Sequence, residues 1–247
     1  MFTGVAMVQK NDTTGTTGTG VWLLHSTPKF PYKRDKNNFW PKSGARNAQI
    51  FICVTFNYDQ FGHIGKHLQL INVYPFMSDI PSDFHKTLQV KNWDTKIHST
   101  LKQRRVDPTL QPLKSSRGKD FYSIAKQVSA DGKPEVGDLY VSISEELKSD
   151  VNVQSWGCQP DRDGSFCHLN KRKVQNILFV DIGWAKWDPG SDHSKWCVAV
   201  DQKKPWTCIA DVNRSESQYE RLGGALCIND EEVRNIFNVS AKYKEEC

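Results

Sequence analysis

The stretch DHSKWCVAVDQKKPWTCIADVNR, residues 192–214, brings a histidine, a lysine and a cysteine within five positions. His193 and Lys195 form a His-x-Lys triplet, a pairing that suits proton transfer beside a fixed positive charge. A chain with 7 histidines and 33 lysines and arginines contains such a triplet by chance in about one protein out of two. The triplet is therefore either part of an active site or a polar loop, and its surroundings must decide.

Length and composition indicate one folded unit. The 247 residues are 38% hydrophobic and 25% charged, which favours a single large domain and argues against disorder. The longest apolar runs, at 50–56 and 176–184, have the length of buried strands and are too short to span a membrane. The net charge of +5 is ordinary for this length, but protonation of the histidines in acid would favour a polyanionic partner.

Cysteines and glycosylation sequons together indicate a secretory route. Six of the seven cysteines follow residue 150, and the absence of a CxxC pair argues against a zinc ribbon and favours disulfides. Asn-x-Ser/Thr sequons begin at Asn11, Asn213 and Asn238. The first ten residues lack the basic and apolar segments of a secretory signal, so we expect further residues upstream of Met1.

Hydrophobic periodicity predicts a mixture of strands and helices. Strands are predicted at 4–10, 21–25, 48–56, 173–184 and the start of 137–147, the first two forming a hairpin. Helices are predicted at 58–71, 119–129 and the end of 223–237, where Asn229 or Asp230 is the cap. This mixture favours an α/β fold, with α+β as the alternative.

Six blocks of sequence, in order, resemble the deoxyribonuclease II family, a branch of the phospholipase D-like fold. The blocks are VWLLHSTPKFP (21–31), FICVTFNYDQFGHIGKHL (51–68), FYSIAKQ (121–127), DLY (138–140), residues 192–214 and GGALC (223–227). An ordered series over nearly the whole chain is far more specific than one triplet.

The resemblance implies a phospholipase D-like pseudo-two-fold fold, with mixed central sheets flanked by helices and an incomplete N-terminal half. The chain would be a single domain, 1–247. Residues 1–100 would be the remainder of the N-terminal half, and 101–247 the C-terminal half that carries His193 and Lys195.

The resemblance also implies an activity. Members of the family are endonucleases that cut DNA in acid at any sequence, use no metal or other cofactor and leave 3′-phosphates. Each half supplies one His-x-Lys, so that one histidine attacks phosphorus and forms a phosphohistidine while the other protonates the leaving oxygen. His193 would take either role, and Lys195 would hold the phosphate.

Further residues near the motif are candidates for the same site. Asn213 would donate a hydrogen bond to a phosphate oxygen or carry a glycan, and these two roles exclude each other. Asp192 would orient an imidazole or cap a turn, and Asp211 would orient an imidazole or lie at the surface. Trp196 and Trp206 would stack on bases or lie in the core.

The first His-x-Lys of the family pattern is missing. With Gly4-Val5 as the anchor, its histidine position falls on Met1 and its lysine position on Thr3. His25 is the best candidate for a second imidazole, with a hydrogen-bonded residue at a strand end as the alternative. Three other histidines are predicted to lie at the surface: His63, His67 and His85.

For the cysteines, the resemblance implies the disulfides Cys208–Cys227 and Cys167–Cys247, a buried free thiol at Cys197 and an unpaired Cys53. A Cys158–Cys167 loop competes with the second disulfide.

Three functions are therefore open, for a protein expected to be secreted or lysosomal. The first is an acid deoxyribonuclease acting on DNA. The second is a catalytically impaired homologue that binds DNA or a host partner, and the least favoured is a cysteine hydrolase using Cys197 and His193.

Overall fold

Strands dominate the part of the chain described by this computed structural model, residues 18–28, 42–71, 73, 109–128 and 133–247. Its strands are β1 (Thr19–His25), β2 (Phe51–Asn57), β3 (Thr109–Lys114), β4 (Asp120–Ala125), β5 (Val151–Gln154), β6 (Val174–Asp181), β7 (Lys186–Trp187), β8 (Trp196–Ala199), β9 (Trp206–Ala210), β10 (Gly224–Asn229) and β11 (Ala241–Lys244). Its helices are α1 (Phe61–Leu70), α2 (Pro134–Gly137), α3 (Leu139–Leu147) and α4 (Glu231–Ser240).

A large mixed sheet and a small one organise these elements. The large sheet has the order β11-β6-β5-β8-β9-β10-β4-β3, and β7 pairs with β6. Within the described residues its strands pair antiparallel, except for the parallel pair β5 and β6. β1 and β2 form the small antiparallel sheet. The mixed α/β class is confirmed, whereas the division at residue 100 stays a prediction.

Both faces of the large sheet are covered. Successive residues of β8 alternate between two apolar clusters, as the two-residue period of a strand requires. Trp196 and Val198 join the cluster that contains the small sheet and α1, and Cys197 and Ala199 join the cluster that contains α3. The strand that follows the His-x-Lys triplet therefore lies inside the protein.

Two elements are predicted with the wrong type of secondary structure, and the neighbouring elements that enclose them explain both. Residues 119–129 contain β4, which lies between β3 and β10, so that sheet pairing overrides their helical spacing. The segment 137–147 contains the helix α3, which begins where Asp138 accepts a hydrogen bond from Tyr140 N at 2.7 Å. Nearly all of α3 is buried, which hides the period of a surface helix.

The other predicted elements are confirmed where the structure describes them. β1, β2 and β6 occupy the predicted strands, and α1 the predicted helix at 58–71. α4 is capped by Asp230, whose carboxylate accepts from Val233 N at 3.0 Å. β1 pairs with β2, and its predicted partner strand at 4–10 lies outside the described residues, as do Met1, Thr3, Asn11 and His85.

Both disulfides implied by the resemblance are confirmed. Cys208–Cys227 joins facing residues of β9 and β10, and Cys167–Cys247 links residues 80 positions apart. The competing Cys158–Cys167 loop is thereby excluded. The free thiols of the described residues are the buried Cys197 and the exposed Cys53 and Cys158.

A buried ion pair joins α3 to the segment after β9. Arg214 and Asp138 are each 1% exposed, and Arg214 Nε donates to Asp138 Oδ2 at 2.8 Å. Arg214 Nη1 also donates to Gly164 O and Asn176 Oδ1, both at 2.8 Å. The guanidinium thus connects three parts of the chain around one carboxylate.

Removing this guanidinium should be costly. Arg214→Met leaves the Asp138 carboxylate buried without its counter-charge, so we expect the free energy of unfolding to fall by about 3–5 kcal/mol. Lys114→Met is the matched control because Lys114 and Asp120 form an exposed pair at 2.6 Å, and it should cost about 1 kcal/mol or less. Urea titrations measure both, and equal losses would contradict the prediction.

Candidate active site

A contact between two distant segments builds the site around His193. Ala48 N donates to Ser191 O, and His193 N donates to Ala48 O, both at 2.9 Å. The pairing is parallel and includes Asp192. It brings Gln49 beside His193 and holds the loop that leads into β8.

Lys195 lies at the start of β8 and is completely buried. Its Nζ donates to His193 O at 2.8 Å, and its carbonyl accepts from Ala210 N at 2.8 Å. Burial lowers the pKa of Lys195 to about 7, although the carboxylates of Asp192 and Asp211 favour the charged form. The side chain is therefore cationic in acid.

His193 is half-buried, and its ring is held on two sides. The Trp156 ring meets it at 85° with centroids 5.2 Å apart, and Gln49 Nε2 lies 3.4 Å from His193 Nδ1. Nε2 lies on the opposite side of the ring from this contact. Burial lowers the pKa of His193, and the nearby Lys195 lowers it further.

Gln49 connects His193 to the segment after β1. Ser26 Oγ lies 2.7 Å from Gln49 Oε1 and accepts from Ile50 N at 2.9 Å. The Ser26 hydroxyl can donate to the amide or accept from it, so the same heavy-atom positions suit either orientation of the Gln49 amide. Among the described contacts, the one with Gln49 holds the Nδ1 side of the imidazole, and orientation of the ring by Asp211 stays a prediction.

Asp192 holds the loop and does not orient the ring. The carboxylate is fully buried, and its two oxygens accept from Ser194 N and Trp187 Nε1, both at 2.7 Å. Burial raises the pKa of Asp192, while these hydrogen bonds oppose the rise. The turn-capping interpretation of Asp192 is the one that matches these contacts.

Asn213 is 3% exposed and supports Trp156. Its Oδ1 accepts from Trp156 N at 3.3 Å, and its Nδ2 donates to Gln159 Oε1 at 3.0 Å. A glycan on this enclosed Nδ2 is incompatible with the folded protein, which corrects that expectation. A phosphate contact stays a prediction for Asn213, and so does a glycan at Asn238, which is half-buried in α4.

The histidines divide into buried and exposed ones. His25, the last residue of β1, is 3% exposed, lies 2.6 Å from Thr27 Oγ1 through its Nδ1 and stacks on Phe51. This matches the strand-end alternative, and a catalytic role for His25 stays a prediction. His63 is exposed as expected. The surface prediction for His67 is wrong, because its ring is buried against Trp22.

Base stacking by Trp196 and Trp206 is also wrong. Both rings are buried, Trp196 against Phe237 with centroids 4.9 Å apart and Trp206 on Tyr122 at 4.6 Å. The core interpretation is confirmed for both.

Comparison with known proteins places this chain in a family. The family model for deoxyribonuclease II matches residues 4–247. The chain belongs to the deoxyribonuclease II family. Similar proteins are plancitoxin-1 of Acanthaster planci (34% identical over 231 residues), deoxyribonuclease-2-beta of Homo sapiens (31% over 232) and deoxyribonuclease-2-alpha of Sus scrofa (32% over 236). Each alignment covers 92% of this chain, which spans 61–62% of the length of these relatives.

In this deoxyribonuclease II family member, Gln49 should control the protonation of His193. Gln49→Glu puts a carboxylate beside Nδ1, so we expect the pKa of His193 to rise by about 1–2 units, whereas Gln49→Leu should not raise it. NMR titration of the ring signals measures the change, with the half-exposed His168 as internal reference. An unchanged His193 pKa in Gln49→Glu would contradict the contact.

The buried Lys195 should give stability a defined pH dependence. The pKa of a lysine in the unfolded chain is about 10.4, whereas burial in the folded protein lowers the pKa of Lys195 to about 7. Between these values the unfolded chain binds one proton more, so the wild type should gain about 1.4 kcal/mol per pH unit relative to Lys195→Met.

Urea unfolding at pH 7, 8 and 9 measures this difference. The exposed-lysine variant Lys114→Met should follow the wild type across the same range. A constant gap between the wild type and Lys195→Met would show that the ammonium is not buried as described.

Proposed function

We propose that the protein is a deoxyribonuclease II-like acid endonuclease that hydrolyses DNA phosphodiester bonds through His193 and Lys195. The observation that carries the proposal is the buried Lys195 ammonium bonded to the carbonyl of a half-exposed histidine, in a chain of this family. A fixed cation beside an accessible imidazole suits a phosphate ester, because it stabilises the charge that develops on the phosphate oxygens.

The proposed reaction has two steps. A half-turn of the Gln49 amide lets its oxygen accept from Nδ1–H and leaves Nε2 of His193 unprotonated. Nε2 then attacks phosphorus, the N–P bond forms, and the bond to the 5′-oxygen breaks while a second acid supplies the proton for the leaving oxygen. Water then attacks the phosphohistidine and gives a proton back to the second group, the N–P bond breaks, and a 3′-phosphate and the free imidazole are released. Both steps proceed without a metal ion.

The pKa shifts support the nucleophile role for His193. A nucleophile needs the neutral ring, and the lowered pKa of His193 preserves that form further into acid. Lys195, with its pKa at about 7, is charged in the same range. The second acid belongs to the other half of the site. His25 is the candidate among the described residues, although burial lowers its pKa and so favours the neutral ring.

The disulfides support a secreted or lysosomal location, since such bonds persist in oxidising surroundings. An acidic compartment would also keep Lys195 protonated. None of the helices in the described residues is long and apolar enough to cross a membrane.

Nicking of supercoiled plasmid at about pH 5 with chelator tests the proposal. We expect cutting that leaves 3′-phosphates and that falls by a factor of about 10³ or more in His193→Ala, because groups of a catalytic unit act together. His63→Ala, an exposed histidine on α1, is the control and should cut normally. Cutting that is lost with chelator would contradict metal independence.

If the protein is instead a catalytically impaired homologue that binds DNA, the same samples should give a different result. DNA would be retarded in a gel at low salt and released at high salt, as phosphate contacts require, without being cut. Failure to bind DNA at either salt concentration would contradict both forms of the proposal.

A further inference from the structure

The tip of the hairpin between β6 and β7 carries a tryptophan that folding does not explain. Trp184 is 86% exposed, and the neighbouring Ile182 is 37% exposed. Turn positions usually hold small or polar residues, and exposed indole surface yields none of the free energy that apolar burial provides. A ligand that covers the ring would account for Trp184 at this position.

The hairpin holds the backbone at Trp184 in a defined place. Ile182 N donates to Ala185 O at 3.0 Å, and Gly183 N donates to Asp181 Oδ1 at 2.8 Å. Gly183 has a φ of +89°, which the first position of this two-residue turn requires and other residues rarely adopt. Because the tip is already ordered, binding through Trp184 costs little conformational entropy.

The hairpin also lies at the active-site end of the sheet. Trp187, in β7, donates to the carboxylate of Asp192, the residue before His193, at 2.7 Å. Trp184 is three residues before Trp187, a reach of about 10 Å along the strand.

We propose that Trp184 stacks on a nucleobase of the DNA strand whose phosphate is attacked by His193, a proposal that rests on the function proposed above. Indole rings stack on bases of any sequence, and bases are accessible in single-stranded or locally unpaired DNA. Lys186, exposed on the same hairpin, would contact the backbone between the two points. The substrate class is therefore DNA with unpaired bases near the cut.

The hairpin favours a nucleic acid over a protein partner. At the tip of the hairpin the exposed large apolar side chains are Ile182 and Trp184, flanked by Asp181 and Lys186, and Leu178, 42% exposed, lies farther back on β6. Protein interfaces usually need a larger contiguous apolar patch, whereas one ring is sufficient for one base.

Binding of two oligonucleotides in the His193→Ala background, which prevents cutting, tests the proposal. One probe is a fluorescein-labelled 12-mer of deoxythymidine, and the other is an abasic 12-mer with the same phosphates. By fluorescence anisotropy at about pH 5 with chelator, Trp184→Ala should bind the thymidine probe about 5- to 100-fold more weakly and the abasic probe equally well. Trp184→Phe should retain most of the affinity.

Leu169→Ala is the control for lost apolar surface. Leu169 is 91% exposed, and it precedes β6 at the end of the sheet opposite to the site. Leu169→Ala should therefore leave the affinity for both probes unchanged. If the protein that retains Trp184 and its Trp184→Ala variant bind the thymidine probe with equal affinity, the stacking proposal is overturned and the proposed DNA function is not. An equal loss on both probes would also overturn it. Failure of the protein that retains Trp184 to bind either probe would overturn the stacking proposal, and the proposed DNA function would be overturned as well only if plasmid DNA is not bound either.

Discussion

The ammonium of Lys195 lies wholly inside the protein, and the arrangement of the site follows from keeping it there. Removing a cation from water costs several kcal/mol, and here the His193 carbonyl and the nearby carboxylates of Asp192 and Asp211 offset part of that cost. Those groups come from the loop before β8 and from the end of β9, so these elements must converge. A charge that is already desolvated and fixed needs no reorganisation when an anionic group arrives.

Much of the fold was predictable because its signals are local. The apolar strands β2 and β6 and the cap at Asp230 each depend on a few neighbouring residues. β4 and α3 were not predictable in the same way, since both are enclosed by other elements and their apolar residues show no exposed face from which to read a period. The two disulfides followed from family resemblance, as spacing alone left Cys158–Cys167 open.

The residues of the site also divide into those that a local sequence signal predicts and those that it does not. His193 and Lys195 belong to one short motif, whereas the contact of Gln49 with His193 spans 144 positions and leaves no mark in the sequence near either residue. Proximity to the motif suggested base stacking by Trp196 and Trp206, but alternation along β8 and pairing in β9 direct both rings into the core. Trp184, farther from the triplet, is exposed because it occupies a turn.

The Gln49 amide has a consequence for how the molecule responds to acid. Its oxygen and nitrogen are nearly identical in size, and the Ser26 hydroxyl serves either orientation. When the imidazole gains a proton at Nδ1, a half-turn of the amide supplies an acceptor without displacing any other heavy atom. A carboxylate at this place would instead favour one charge state. The site can therefore exchange protons with the medium while its framework stays the same, and structures determined in neutral and acidic solution should superimpose.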